Sequence, residues 1–323
     1  MSRVSLKQQT ARTLRGVAWR IERPARSRRE QPPASHRRQA ALSQDVSALI
    51  PTDSAPGSRK ASWFFEQYPR FYRTSSIAPT GRLNLRYEAI FGQNKDIFAG
   101  ASVIDLASHD GRWSLAALAT GARSVTGIEA GPALVKDAEE NLAAYGYGPD
   151  RARFIAGDVH EVLKTQDFEA DVVLCLGFLY HTLRYNELLY GIRRTNARYL
   201  IIDSLGPLNM MEPAPNVGLI TEQADHEGYA ATDSYTYGPS VLVGHPNLAA
   251  IRIMVEAYGY RVERLSDWAG LLHDNPGTKD CDDYANGRRI TVRCVNAKAA
   301  PGAQPASKSR RRTSSPKLSA TSR

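Results

Sequence analysis

From Ser102 to Asp203 short apolar runs alternate with stretches of helical periodicity. This alternation confines the chain to βαβ units and a largely parallel sheet. The expected strands are Val103–Leu106, Val125–Ile128, Arg153–Ala156, Val172–Leu176 and Tyr199–Asp203. Between them, Arg112–Thr120, Pro132–Tyr145 and Leu183–Asn196 place apolar residues at helical spacing, so each can lay one face on the sheet. Gly131-Pro132 suits a helix start, because proline fixes φ and lacks only a donor that the first turn leaves unpaired. A helix over Asn247–Tyr258 and strands near Arg261–Leu265 and Ile290–Val295 complete an α/β pattern of seven strands with helices on both faces.

Around this domain, expected over residues 101–296, the sequence changes character. Residues 61–100 are rich in aromatics, and Leu83, Tyr87, Ile90 and Phe91 fall on one helical face, which predicts a helical cap leading into the sheet. Residues 204–245 lose apolar periodicity and gather His226, Tyr229, Tyr235 and Tyr237, the composition of a lid or substrate-binding insert. Residues 1–60 and 297–323 read as basic, mostly disordered tails. Leu14, Val17 and Ile21 within the first of them also have the spacing of an organelle-targeting helix.

Charge is segregated. Residues 1–40 carry eleven Lys/Arg against Glu22 and Glu30, and residues 297–323 carry seven with no acid, so the tails hold +16 of a chain whose net charge is +9. Residues 41–296 therefore carry −7, which argues against a basic groove in the folded core and assigns any attraction to RNA to the tails. Cys175, Cys281 and Cys294 have neither paired spacing nor a Cys-x-x-Cys, so no disulfide framework or zinc site is indicated. Asp225, His226, Asp233 and His245 match no compact metal-ligand motif, and no metal is expected. No apolar run approaches the roughly 18–20 residues that span a bilayer, so the expectation is a cytoplasmic protein without a membrane partner.

The most informative stretch runs from Val103 to Ser114, Val-Ile-Asp-Leu-Ala-Ser-His-Asp-Gly-Arg-Trp-Ser: a strand, a small-residue turn and a helix start. Ligands of open α/β sheets bind beyond the carboxyl ends of the strands. A dinucleotide site needs several glycines for close approach to its pyrophosphate, and here Gly111 stands alone with Ser108 and His109. S-adenosylmethionine has no phosphate and demands fewer glycines. Glu129, ending the second strand, can accept from both ribose hydroxyls, and Asp158, after the third, from an adenine amine.

In these residues the chain resembles class I, Rossmann-like S-adenosylmethionine-dependent methyltransferases. Val103–Gly111 resembles their first motif, Glu129 their ribose-binding acid, Gly157-Asp158 their adenine-binding turn and Asp171–His181 their fourth-strand motif, with Ala107 and His109 where the common pattern has glycine. The resemblance implies S-adenosylmethionine held by Asp105, Ala107, Ser108, His109, Gly111, Glu129, Ala130, Gly157, Asp158, Val159 and Leu176. A narrower likeness, in Asp110–Ser114 and Leu176–His181, is to tRNA wobble-uridine carboxymethyltransferases and their uncharacterised relatives.

Each carboxylate also has an ordinary structural reading: Asp105 capping its turn, Glu129 ending a strand in solvent, Asp158 capping the next helix. On the acceptor side, His181 has an imidazole that could serve as a base, and Tyr180 could orient the donor or line the acceptor pocket. Tyr72, Arg73 and Arg86 could close over the site or bind an acceptor, although Arg86 could equally pair with Glu88 or another acid. The expected activity is methyl transfer to a small molecule, with an RNA nucleoside as the alternative and non-catalytic binding of S-adenosylmethionine as a third reading.

Overall fold

The structure, a computed structural model, describes residues 46–49, 63–74, 79–223 and 240–298. The tails apart from residues 46–49 and 297–298, the Arg73 side chain and the insert residues Asp225, His226, Tyr229, Asp233, Tyr235 and Tyr237 lie outside the described residues, as does the candidate targeting helix.

The strands β1 (Ser102–Leu106), β2 (Ser124–Glu129), β3 (Ala152–Ala156), β4 (Val172–Leu176) and β5 (Tyr199–Leu205) form the parallel part of a seven-stranded sheet. Its order is β3-β2-β1-β4-β5-β9-β8, with β8 (Tyr260–Leu265) and β9 (Arg289–Asn296) at one side. Only β9 runs against its neighbours, pairing antiparallel with both β5 and β8. Because winding reverses between β1 and β4, the crevice at their carboxyl ends is the switch point of the sheet.

Both sheet faces are buried, as parallel strands require, and successive side chains serve opposite cores. Val103, Val125, Val172 and Leu174 face one core, with Leu115 of α3 (Arg112–Ala119) and Leu142 of α4 (Pro132–Ala144). Ile104, Leu106, Ile128, Val173 and Cys175 face the other. That second core is closed by Leu163 of α5 (Val159–Thr165), Leu188 and Ile192 of α6 (Tyr185–Arg194), and Ile251 and Val255 of α7 (Leu248–Ala257).

The segment before the sheet forms a helical turn α1 (Phe71–Thr74) and helix α2 (Thr80–Ile90). Its aromatics share the first core instead of standing apart. Phe64 stacks on Tyr87 with ring centroids 3.9 Å apart, and Phe65 meets Trp113 of α3 edge-on at 5.5 Å. Burial of such large rings, about 1.5–3 kcal/mol apiece, ties the cap to the first sheet helix.

The seven expected strands and their helices are present, with ends displaced by at most two residues. Residues 204–245, in which no strand is expected, contain two: β6 (Val217–Gln223) pairs antiparallel with β7 (Ser240–Pro246). The alternation that marks a strand is blurred there because Leu219 and Ile220, adjacent and apolar, are both exposed, and β7 is buried without interruption from Val243 to Pro246. Two further short helices, α8 (Trp268–Asp274) and α9 (Asp282–Ala285), are also absent from the sequence reading. Among the described residues no helix is long and apolar enough to cross a membrane, and the three cysteines are free and buried.

Candidate active site

Beyond β1 the backbone alternates in hand: Ala107, His109 and Gly111 have φ of 52°, 51° and 81°. For a residue with Cβ this conformation costs roughly 1–2 kcal/mol. The surroundings hold it in place. Ser108 N donates to Ile128 O at 3.0 Å and Gly111 N to Ser108 O at 3.0 Å. Asn141 Nδ2 donates to Asp110 O at 3.1 Å. Gly111 is required twice over, by its φ and because a Cβ there would lie 2.7 Å from Leu142 Cδ2.

Three carboxylates surround this turn and are held differently. Asp105 is buried and accepts from Ser114 Oγ of α3 at 2.7 Å. Burial, reinforced by neighbouring Glu129 and Asp110, pushes its pKa up to about 7. Asp110 is also buried, which opposes ionisation, yet Arg112, with Nε at 2.8 Å, and His109 hold it well below the usual carboxylate range. Glu129 is oriented by the backbone: Oε2 accepts from His109 N and Oε1 from Gly131 N, both at 2.9 Å. Each oxygen keeps a lone pair, so the carboxylate can still receive a diol.

After β3, Gly157 N donates to Glu129 O at 2.9 Å, locking the second and third strand ends together. Asp158 caps α5 by accepting from Glu161 N at 3.0 Å. Partial burial works against its ionisation, but the His160 imidazole, 3.3 Å away, and the cap keep its carboxyl below the usual range. Ser108 Oγ is buried without a hydrogen-bond partner.

On the far side of the switch point, Gly177, Phe178 and the turn Leu179–His181 follow β4. His181 Nδ1 lies 2.6 Å from Glu222 Oε2 of β6. Tyr180 sits between imidazoles, its ring centroid 4.2 Å from that of His181 and 5.5 Å from that of His245 on β7. Burial pushes the His245 pKa down, with Glu222 opposing, and its Nε2 is buried without a partner.

Behind Tyr180 is a charged network centred on Asp203 of β5. Its Oδ1 accepts from Arg289 Nε at 2.7 Å and Arg86 Nη2 at 3.2 Å, and its Oδ2 from Tyr284 OH and Thr291 Oγ1, each at 2.8 Å. Burial alone would raise the Asp203 pKa, but the guanidiniums of Arg289 and Arg86 hold it at about 2. Arg289 Nη1 also donates to Tyr180 OH at 3.2 Å, and the Arg86 guanidinium lies 4.7 Å over the Trp113 ring. Asp203 thus links the cap, the fifth strand and the last strand.

Residues 103–196, from β1 through α6, match the family model described as a methyltransferase domain. The segment contains the left-handed turn, the Glu129 carboxylate and the reversal of strand order at β1 and β4. Over these residues the chain carries a methyltransferase domain. Solved structures to which it is similar include an S-adenosylmethionine-dependent methyltransferase from Mesorhizobium loti, 16% identical over 62% of this chain and 92% of that one, TM-score 0.43. Another, from Listeria monocytogenes, is 14% identical over 65% and 98%, TM-score 0.45. The PH0226 protein of Pyrococcus horikoshii OT3 is 14% identical over 73% and 99%, TM-score 0.47. No curated protein sequence matches the chain.

The fold brings most of the expected donor-side residues to one crevice. Ala107, Ser108, His109, Gly111 and Glu129 are joined directly by the hydrogen bonds of the turn or border it, Ala130 is exposed beside Glu129, and Gly157, Asp158 and Val159 follow at the next strand end. Leu176 is buried at the end of β4. Asp105 is engaged by Ser114 beneath the turn. Of the acceptor-side expectations, Tyr72 is partly exposed on α1 and donates its hydroxyl proton to Phe65 O, whereas Arg86 pairs with Asp203 and not with Glu88.

Glu222, Asp203, Arg289 and Tyr284 are absent from the sequence reading. A weak signal existed for Asp203, an acid closing the apolar run Leu200–Asp203 just as Glu129 closes β2. Glu222 had none, since its strand is not legible as one. Among the described residues no group of three His, Cys, Asp or Glu is arranged to hold a metal ion.

Proposed function

We propose that this methyltransferase acts on a small-molecule acceptor held between the cap, the Tyr180-His181 turn and the β6–β7 hairpin. The observation that carries the reading is the 2.6 Å contact from His181 Nδ1 to Glu222 Oε2, by which the hairpin is fastened over the end of β4. A covered edge suits an acceptor small enough to be enclosed, and the core charge of −7 gives a nucleic-acid backbone little to follow.

On the donor side, the chemistry of the residues fits S-adenosylmethionine. Glu129, held by two backbone N–H groups, is assigned the ribose hydroxyls; Asp158 and the backbone of Val159 are assigned the adenine edge. The left-handed turn 107–111, with the unpartnered Ser108 Oγ, is assigned the amino-acid portion. When bound, the sulfonium supplies an already activated methyl group, so the protein has chiefly to align the acceptor and exclude water. Free buried thiols at Cys175, Cys281 and Cys294 accord with a reducing compartment such as the cytoplasm.

The test is incubation of the full chain with methyl-labelled donor and fractionated cell extract. Label is expected in the low-mass fraction. The +16 of the two tails favours one other outcome, label in RNA, and that result, abolished by moderate salt, would replace the small-molecule reading.

A further inference from the structure

Glu222 belongs to a strand outside the segment that carries the family likeness, yet its carboxylate lies 2.6 Å from the His181 imidazole. The His181 and Glu222 side chains are 24% and 23% exposed, buried enough to strengthen the contact and open enough for the free side of the imidazole to meet a ligand. A carboxylate on Nδ1 fixes the tautomer. Nδ1–H donates to Glu222, and the lone pair remains on Nε2. The same carboxylate stabilises the imidazolium that forms when Nε2 takes a proton, as in other oriented histidine bases.

The other charged and titratable groups near the ring do not supply this function. Tyr180, on the same turn, lies against the imidazole with its ring tilted by 43° and accepts from Arg289 of β9. His245 of β7 has its pKa pushed down by burial and stands against Tyr180, while Arg288 acts on His245 as a second nearby cation. Glu222 is the carboxylate that the fold brings to His181.

We propose that Glu222 is a positioning residue that holds His181 as a general base, and that the acceptor is a small molecule methylated at a hydroxyl group. The inference rests on the small-molecule reading above and names its acceptor chemistry. In the step, the acceptor oxygen attacks the methyl carbon as the carbon–sulfur bond breaks. The bonding pair stays on sulfur as a neutral thioether, an oxygen–methyl bond forms, and the hydroxyl proton passes to His181 Nε2. Charge balances: the positive charge of the sulfonium ends on the imidazolium beside Glu222.

The experiment compares wild type with Glu222→Gln, which keeps the side-chain shape, and Glu222→Asp, which keeps the charge. The probe is the low-mass extract fraction that takes up label, at saturating donor. Glu222→Gln is expected to cut the initial rate about tenfold or more and to move the rise of rate with pH to lower pH, while S-adenosylhomocysteine binds with unchanged affinity. Glu222→Asp should recover part of the rate. Nitrogen-15 NMR of the His181 ring should show the Nδ1–H tautomer in wild type.

An unchanged rate and pH profile in Glu222→Gln, or an Nε2–H tautomer in wild type, would overturn the proposal. If label enters no low-mass fraction, the small-molecule reading fails and the hydroxyl acceptor fails with it. The tautomer measurement then judges the dyad separately, since it needs no acceptor.

Discussion

The two edges of the switch point are built in opposite ways. The donor edge is local: Asp105, the turn 107–111, Glu129 and Asp158 end three successive strands, and main-chain N–H groups do much of the holding. The acceptor edge is assembled across the chain. Arg289 reaches Tyr180 over 109 positions and Asp203 over 86, and Glu222 reaches His181 over 41. A donor common to a family can be met by a fixed local motif, whereas an acceptor peculiar to one enzyme is met by whatever side chains the fold gathers from cap, insert and final strand.

The largest expected effect falls on the distant assembly. Asp203→Ala removes the counter-charge from the buried Arg289 and the half-buried Arg86 and should destabilise the chain by about 3–5 kcal/mol, measured by denaturant unfolding. A loss under 1 kcal/mol would mean that the network is not what joins cap to sheet. The same group sets an acid limit. Its folded pKa, about 2, lies below the unfolded value, so its stabilisation is complete above about pH 4 and fades as pH falls toward 2. Asp203→Asn should flatten that part of the pH–stability profile.

On the local edge, Glu129→Ala should weaken S-adenosylhomocysteine binding by about 1–3 kcal/mol, the value of hydrogen bonds to a charged acceptor. Calorimetry reads this directly, and unaltered affinity would remove the ribose assignment. A smaller effect of opposite sign is expected at the turn. Ala107→Gly relieves a left-handed alanine and should raise stability by about 0.5–1 kcal/mol, less than the full strain because glycine is freer in the unfolded chain. A fall in the melting temperature would show that the alanine methyl packs too well to lose.

Asp105 offers a contrast in pH. Its folded pKa, about 7, is above the unfolded value, so its favourable contribution is present below about pH 4 and is lost as pH rises through 7. Asp105→Asn should therefore be less sensitive to the passage from pH 5 to pH 8 than wild type, as read from urea midpoints. Equal slopes would place the titration elsewhere.

The same contrast explains what the sequence made legible. The runs at Val103, Val125 and Val172 declare buried strands with acids at or just beyond their ends, so the fold class and the gathering of those acids at the switch point could be read before any coordinates. The β6–β7 hairpin could not, because Leu219 and Ile220 break the alternation by facing solvent together. Arg86 shows the same limit: its local neighbour Glu88 is the obvious partner, but burial and the convergence of α2 on β5 give it Asp203. Pairings made by tertiary approach leave no trace in spacing.

Titration of S-adenosylhomocysteine into wild-type and His181→Asn protein, with label transfer from S-adenosylmethionine measured on the same samples, tests most directly whether the two edges divide the work. The expected result is equal affinity in both proteins, with transfer to the low-mass fraction reduced at least tenfold in the variant. Parallel loss of binding and transfer would place His181 on the donor edge and contradict the division. Full transfer by the variant would contradict its role as base.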